Sequence, residues 1–251
     1  FLYLGHWLQG GLGNDRKDTG MLIKVFCETF KNMKTKPGLI MKTSGAGFSV
    51  LDRETMLTKI REIKNTISGD LPNIYLMHGD FMDEEINELY NHPKVKAHVS
   101  LTHGEGFGRP LLEATLSEKP VMAPNWSGHV DFLKKPNAVL LGGALADVPK
   151  GSFPDNFHVD GMKWFTVNYQ EASATMKDIY KNYRKYTLPA KKLAMYNKSK
   201  FSLDEMTRQF GKILDKYVPE FAEEVKLELP KLNKVSETKA PEIKLPKLKK
   251  V

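Results

Sequence analysis

Short apolar runs alternate with longer amphipathic stretches over the first half of the chain. FLYLGHW (1–7), GLIMKTS (38–44), NIYLMHG (73–79), KAHVSLT (96–102) and PVMAP (120–124) are too short and too evenly apolar for helices, and they read as buried strands. Between them the apolar positions fall at helical spacing. Leu22, Val25, Phe26 and Met33 form one stripe, Met56, Leu57, Ile60, Ile63 and Ile67 a second, and Ile86, Leu89 and Tyr90 a short third. Strand followed by helix at this interval predicts a parallel sheet covered on both faces, a doubly wound α/β fold. Beyond Asn125 two further strands are expected, AVLLGG (138–143) and KWFTVN (163–168), and then helices over 169–186, 189–198 and 202–217. The last should open on a capping box of Ser202 and Glu205, with Phe201 stapled onto Met206.

From about residue 218 the pattern stops. LPKLNKV (229–235) returns as LPKLKKV (245–251), and no apolar face repeats at a structural period. Residues 218–251 therefore read as a linker and a lysine-rich, disordered tail, set apart from a folded body over 1–217. The tail also changes the meaning of the net charge of +8, because residues 226–251 alone carry +5. With only +3 left for the body, specific nucleic-acid binding is not expected there. Leucines alternating with lysines leave open a tail that touches a membrane surface or an acidic partner.

No apolar run is long enough to span a bilayer, and Cys27 is the only cysteine, so a reducing, cytoplasmic setting is expected. A chain that opens directly on a strand suggests further sequence upstream.

Ligands of doubly wound sheets sit where the strands' carboxyl ends run into loops. Four such corners occur here. GHWLQGGLGNDRKDT (5–19) places Arg16 and Lys17 just before a helix start capped by Asp18 or Thr19, where cations oppose the helix dipole unless an anion lies among them. It holds neither a Walker GK[ST] nor a GxGxxG fingerprint, which argues against a nicotinamide enzyme. KTSGAG (42–47) is a small-residue turn. HGDFMDEE (78–85) offers Asp83 as a helix cap, with Phe81 and Met82 either flanking a flat base or stapling the helix.

THGEGFGRPLLEA (102–114) is the fourth corner. The amides of Gly106, Phe107 and Gly108 fall at a helix start, where unpaired N–H groups attract phosphate. Glu105 in the loop and Glu113 inside the helix can hold hydroxyls of an extended ligand. A simpler account gives Glu113 an i, i+4 ion pair with Arg109, but it leaves Glu105 and the three glycines unexplained.

Glu105-Gly-Phe-Gly-Arg-Pro-Leu-Leu-Glu113 resembles the E-x7-E signature of retaining glycosyltransferases of the GT-B fold (family 4 and relatives), and KPVMAPNWSGHVDFL (119–133) continues the likeness. The resemblance implies that 1–217 is the Rossmann-like C-terminal domain that binds the nucleotide-sugar donor, and that an acceptor-binding domain precedes it. Glu105 would then contact the donor sugar, Glu113 the ribose and the 106–108 amides the diphosphate. The family's Arg position after the first strand holds His6, so Lys17 takes the Lys role and Arg16 replaces the displaced Arg. No metal or cofactor is implied beyond the donor itself, and the acceptor is unspecified. His98 and His103 are expected as core or loop histidines rather than zinc ligands. A module that binds the nucleotide sugar without turning it over remains the alternative.

Overall fold

The computed structural model describes residues 1–219 apart from 9, 10, 46 and 135. Six strands form one parallel sheet: β1 (Leu2–Leu4), β2 (Leu39–Lys42), β3 (Ile74–Met77), β4 (His98–Val99), β5 (Val121–Pro124) and β6 (Val139–Leu141), in the order 3-2-1-4-5-6. Six helices cover it: α1 (Thr19–Phe30), α2 (Val50–Asn65), α3 (Asp83–Asn91), α4 (Arg109–Leu116), α5 (Tyr169–Lys181) and α6 (Arg184–Lys200).

The two-residue period of the strands divides the core. Tyr3, Met41, Val99, Met122 and Leu141 pack with Phe26 of α1, Ile60 of α2 and Met176 of α5. Their neighbours Leu2, Val121 and Ala123 turn the other way, onto Tyr90 of α3, Leu111 of α4 and Leu193 of α6. Both faces are therefore apolar, as the runs of strand residues required. Strand order reverses between β1 and β4, whose register joins Leu2 to His98 alone among the described residues. The strands part beyond that pair, and the loops after them frame a crevice.

The chain departs from expectation in three places. The run expected as one strand over 138–143 ends at Leu141, and Gly143–Asp147 forms β7, which pairs antiparallel with β8 (Lys163–Val167) as a separate ribbon. All five residues of β7 are exposed, so no burial pattern marks it in the sequence. The break between the next helices falls at Asn182 rather than before Pro189, which sits inside α6. Asp178 fixes that corner, accepting from Asn182 Nδ2 at 2.7 Å and Lys185 Nζ at 3.0 Å and from the Tyr186 hydroxyl. Helix α3 begins at Asp83 itself: its N-cap is Met82, whose N–H is satisfied by Glu85 at 2.8 Å.

The compact body runs Phe1–Arg208, and a second unit begins at Gln209, inside helix α7 (Leu203–Tyr217). Ser202 caps α7 by accepting from the Glu205 N–H at 3.3 Å. The lysine-rich repeat of the tail lies outside the described residues. No helix among those described is long and apolar enough to cross a membrane.

Candidate functional site

The loop after β1 is shaped by two aspartates. Asp15 accepts from the Thr19 N–H at 2.9 Å and so caps α1 from three residues ahead of the N-cap. Asp18, expected as a capping side chain, is the N-cap by position, but its carboxylate accepts from no N–H of the helix start. It lies in the left-handed region (φ 52°, ψ 36°) with its carboxylate turned inward to Tyr169. That turn aims Arg16 and Lys17 across the crevice. Arg16 donates to the Gly104 carbonyl at 2.8 Å and lies 3.7 Å from the Glu105 carboxylate, while Lys17 pairs directly with Glu105. In return the His103 N–H donates to the Arg16 carbonyl at 2.9 Å. Lys17 and Glu105 are only 14% and 12% exposed, so the pair is far less screened than a surface ion pair. Burial lowers the Lys17 pKa, and the Glu105 charge opposes the fall.

The loop after β4 is held from behind by the segment following β5. Ser127 accepts from the Glu105 N–H at 3.2 Å and donates to the Glu105 carbonyl at 2.7 Å, which also receives the Gly128 N–H at 3.0 Å. Ser127 takes a positive φ of 76° to do this. Gly128 is required by contact: a Cβ there would stand 1.9 Å from the Gly106 carbonyl oxygen. Gly108 caps α4 at φ 86°, a conformation that favours glycine. Held so, the N–H groups of Gly106, Phe107 and Gly108 donate to no protein group among the described residues. A Cβ on Gly106 would meet nothing within 4 Å, so the space beside that residue is open. The Phe107 ring turns aside onto Phe132 and Phe201, with centroids 5.4 and 6.4 Å away.

A cleft of about 640 Å³ opens beside this corner, at the carboxyl ends of β1, β2 and β3. Lys17 and Glu113 line it together, with His6, Lys42, Phe81 and Tyr90 among its other walls. Glu105 reaches it through its partner Lys17. The Arg109–Glu113 ion pair is present at 3.1 Å at the edge of the cleft, which both residues line, with Arg109 77% exposed and Glu113 34%. Tyr90 donates to the second Glu113 oxygen at 3.3 Å and to the Pro110 carbonyl at 3.0 Å. Burial raises the Glu113 pKa, with Arg109 and Tyr90 opposing.

The structure thus gathers Arg16, Lys17, Glu105, Glu113 and the three amides at one crossover. His6 stands 3.3 Å from the Ser44 hydroxyl. Lys42 is a site residue that sequence reasoning passed over. Its ammonium donates to the Gly79 carbonyl at 3.0 Å and lies 5.3 and 5.0 Å from the ring centroids of Phe48 and Phe81. Only its place at the end of β2, one residue before the KTSGAG hydroxyls, hinted at it. His98 and His103 are both buried, and no three His, Cys, Asp or Glu side chains among the described residues group as metal ligands.

Neither a protein-family model nor a curated protein matches the chain. Solved structures do. HepE (Alr3699) from Anabaena, crystallised with UDP and glucose, aligns with a TM-score of 0.57 at 15% identity, over 85% of this chain and 48% of that one. The C-terminal domain of LpcC, a group 1 family glycosyl transferase from Francisella tularensis, aligns at 0.52 and 16%, over 80% and 86%. Sucrose-phosphate synthase from Thermosynechococcus elongatus gives 0.57 and 13%, over 86% and 45%. The fold is accordingly that of a Rossmann-like GT-B half. The chain spans about half the length of HepE and of the synthase.

Proposed function

We propose that the chain binds a nucleoside-diphosphate sugar and forms the donor half of a retaining glycosyltransferase that works without a metal. One observation carries this reading: at the strand crossover, Lys17 and the Glu113 carboxylate line one cleft of about 640 Å³, and Lys17 pairs there with Glu105, which leads directly into the three unpartnered amides at the start of α4 and lies 3.7 Å from Arg16. The 106–108 amides and the α4 N-terminus receive the diphosphate, joined by Lys17 and Arg16. Glu105 accepts from sugar hydroxyls and Glu113 from the ribose. Binding exchanges the Lys17–Glu105 pair for a Lys17–phosphate contact and a Glu105–hydroxyl contact. Phe81, beside Lys42, offers a flat surface to the base.

In the reaction the bond from the anomeric carbon to the diphosphate oxygen breaks, and that oxygen takes the electron pair. Lys17, Arg16 and the amides stabilise the growing charge, which exists in full only beyond the transition state. The acceptor oxygen bonds to the same face of the anomeric carbon, and its proton passes to the departing diphosphate or to a base outside these residues.

The crystals of HepE make UDP the first nucleotide to try. A melting series with UDP, GDP and ADP, each in chelator, should show protection by at least one. No protection by any of the three overturns the donor-site reading. The second reading is a nucleotide-sugar-binding module without turnover of its own. Release of free sugar or of glycosylated acceptor from a bound donor separates the two.

A further inference from the structure

Behind the Lys17–Glu105 pair lies a second, fully buried contact between the same two loops. Asp18 follows Lys17 directly, and its side chain is sealed from solvent. Its Oδ2 accepts from the Tyr169 hydroxyl at 2.6 Å. Its Oδ1 has no hydrogen-bond partner and lies 3.8 Å from His103 Nε2, which is buried and unpartnered as well. The imidazole is held on its other sides. It stacks on Trp164 (centroids 3.8 Å, planes 8° apart), and its Nδ1 is 2.8 Å from the Phe165 carbonyl oxygen.

A carbonyl oxygen can only accept, so Nδ1 carries a hydrogen and donates it. In the neutral ring Nε2 is then a bare lone pair. It faces a carboxylate oxygen, which when ionised also offers only lone pairs. Two acceptors facing each other in a dry site are costly, and a single added proton turns the repulsion across 3.8 Å into an attraction that can close to a hydrogen bond. The Tyr169 hydrogen is already committed to Oδ2. The charged groups around the pair are Asp15, Arg16 and Lys17 from the β1 loop and Glu105 from the β4 loop. From α5 comes Tyr169, and from β8 the uncharged Trp164 and Thr166.

We propose that Asp18 and His103 share one proton, and that this pair is a positioning device holding the Lys17 loop in register with the Glu105 loop for the donor; its functional part rests on the donor-site reading. The connection is short on both sides. Asp18 is bonded to Lys17, and His103 stands two residues before Glu105 while its own N–H holds the Arg16 carbonyl. Burial pushes the Asp18 carboxyl up to about 7, the Tyr169 hydrogen bond opposing and the Asp15 charge assisting, and burial lowers the His103 imidazole. The proton therefore rests on Asp18 Oδ1, facing Nε2 across 3.8 Å, and a closure of about 1 Å completes an O–H···Nε2 hydrogen bond. Loss of the proton leaves a carboxylate against a lone pair and drives the two loops apart.

The test compares the full chain with its Asp18→Asn variant. Asparagine tolerates the left-handed backbone, accepts from Tyr169 and offers an N–H to His103 at every pH. UDP affinity of the parent should fall roughly tenfold between about pH 6 and pH 8.5, a change that one linked proton readily supplies, while that of Asp18→Asn stays level. Without nucleotide, carbon NMR of the Asp18 carboxyl should show titration near 7, and nitrogen NMR should show His103 protonated at Nδ1 only. A carboxyl titrating in the ordinary range near 4, or equal pH slopes in parent and variant, overturns the proposal. If UDP binds at no pH, the donor-site reading fails, and the NMR titration still decides whether the pair shares its proton.

Discussion

Lys17 and Glu105 stand 88 residues apart in sequence and close on each other across the gap between β1 and β4. The cation assigned to the diphosphate is thus satisfied by the carboxylate assigned to the sugar, and a ligand must separate them. This predicts opposite effects for the two partners. Lys17→Ala removes a charge-assisted contact of ~1.5–3 kcal/mol and should weaken UDP binding about tenfold or more. Glu105→Gln frees the ammonium and should leave UDP binding equal or tighter, while abolishing any contribution of the sugar to affinity for UDP-glucose. Calorimetric titration of both ligands checks this, and a loss of UDP affinity in Glu105→Gln equal to that in Lys17→Ala contradicts it.

Glu113 gives a pH-dependent expectation. Its carboxyl is raised by burial and held down by Arg109 and Tyr90. Holding a ribose through both hydroxyls needs the ionised form, so nucleotide affinity should increase as pH rises through its folded pKa. Arg109→Ala removes the cation 3.1 Å away and should move that increase to higher pH. Its cost to folding should be only ~0.2–0.5 kcal/mol, the size of a surface helix pair. UDP titrations over a pH series read the midpoint, and a midpoint unmoved by Arg109→Ala would remove Glu113 from the site.

Two glycines of the same corner should separate folding from binding. Alanine at 128 would place a Cβ 1.9 Å from a backbone oxygen that cannot yield, so Gly128→Ala should cost more than ~2 kcal/mol. For a chain of this size that lowers the melting point by about 4–8 °C. Alanine at 106 meets nothing, so Gly106→Ala should melt within about 1–2 °C of the parent. The new methyl would stand where phosphate must approach the amides, and UDP protection should shrink. Equal melting points for the two variants would refute this division.

The residues differ in how openly the sequence displays such roles. Apolar runs of strand length and stripes of helical spacing revealed all six strands of the parallel sheet, because helices packed on both faces leave a dense local pattern, even at the half-exposed edge strand β3. The 102–114 corner was legible for a similar reason: three glycines, two glutamates and the helix start fall within ten consecutive residues, 104–113. What stayed hidden depends on partners far along the chain. Nothing near Asp18 in sequence announces a left-handed residue whose carboxylate meets Tyr169 and His103. The solvent-exposed β7 carries no period to read, and Pro189 marked a helix boundary less well than the Asp178 side-chain cluster that makes one. Lys42 became visible only when β2 and β3 placed Phe48 and Phe81 around it.

His98 supplies an expectation about acid stability that is independent of any ligand. It lies in β4 beneath the crossover, 3% exposed, with both ring nitrogens unpartnered. Burial depresses its pKa from the ordinary 6.5 to about 3. The unfolded chain therefore takes up a proton near 6.5 that the folded chain refuses until about 3. Stability from this group is complete above the unfolded value and is lost as pH falls between the two, at up to ~1.4 kcal/mol per pH unit. Asp18 acts in the opposite sense: its raised carboxyl contributes stability at acid pH that is lost as pH rises through about 7. His98→Leu keeps the volume, deletes two unsatisfied nitrogens and should flatten the acid side of the urea-unfolding profile relative to the parent. At neutral pH the variant should be as stable as the parent or more so. The slope difference between the two proteins is the quantity to measure, because paired carboxylates such as Asp52 with His78 add acid sensitivity to both. Parallel profiles below about pH 6 would mean that His98 is protonated within the fold, with a partner that the sheet supplies by rearranging.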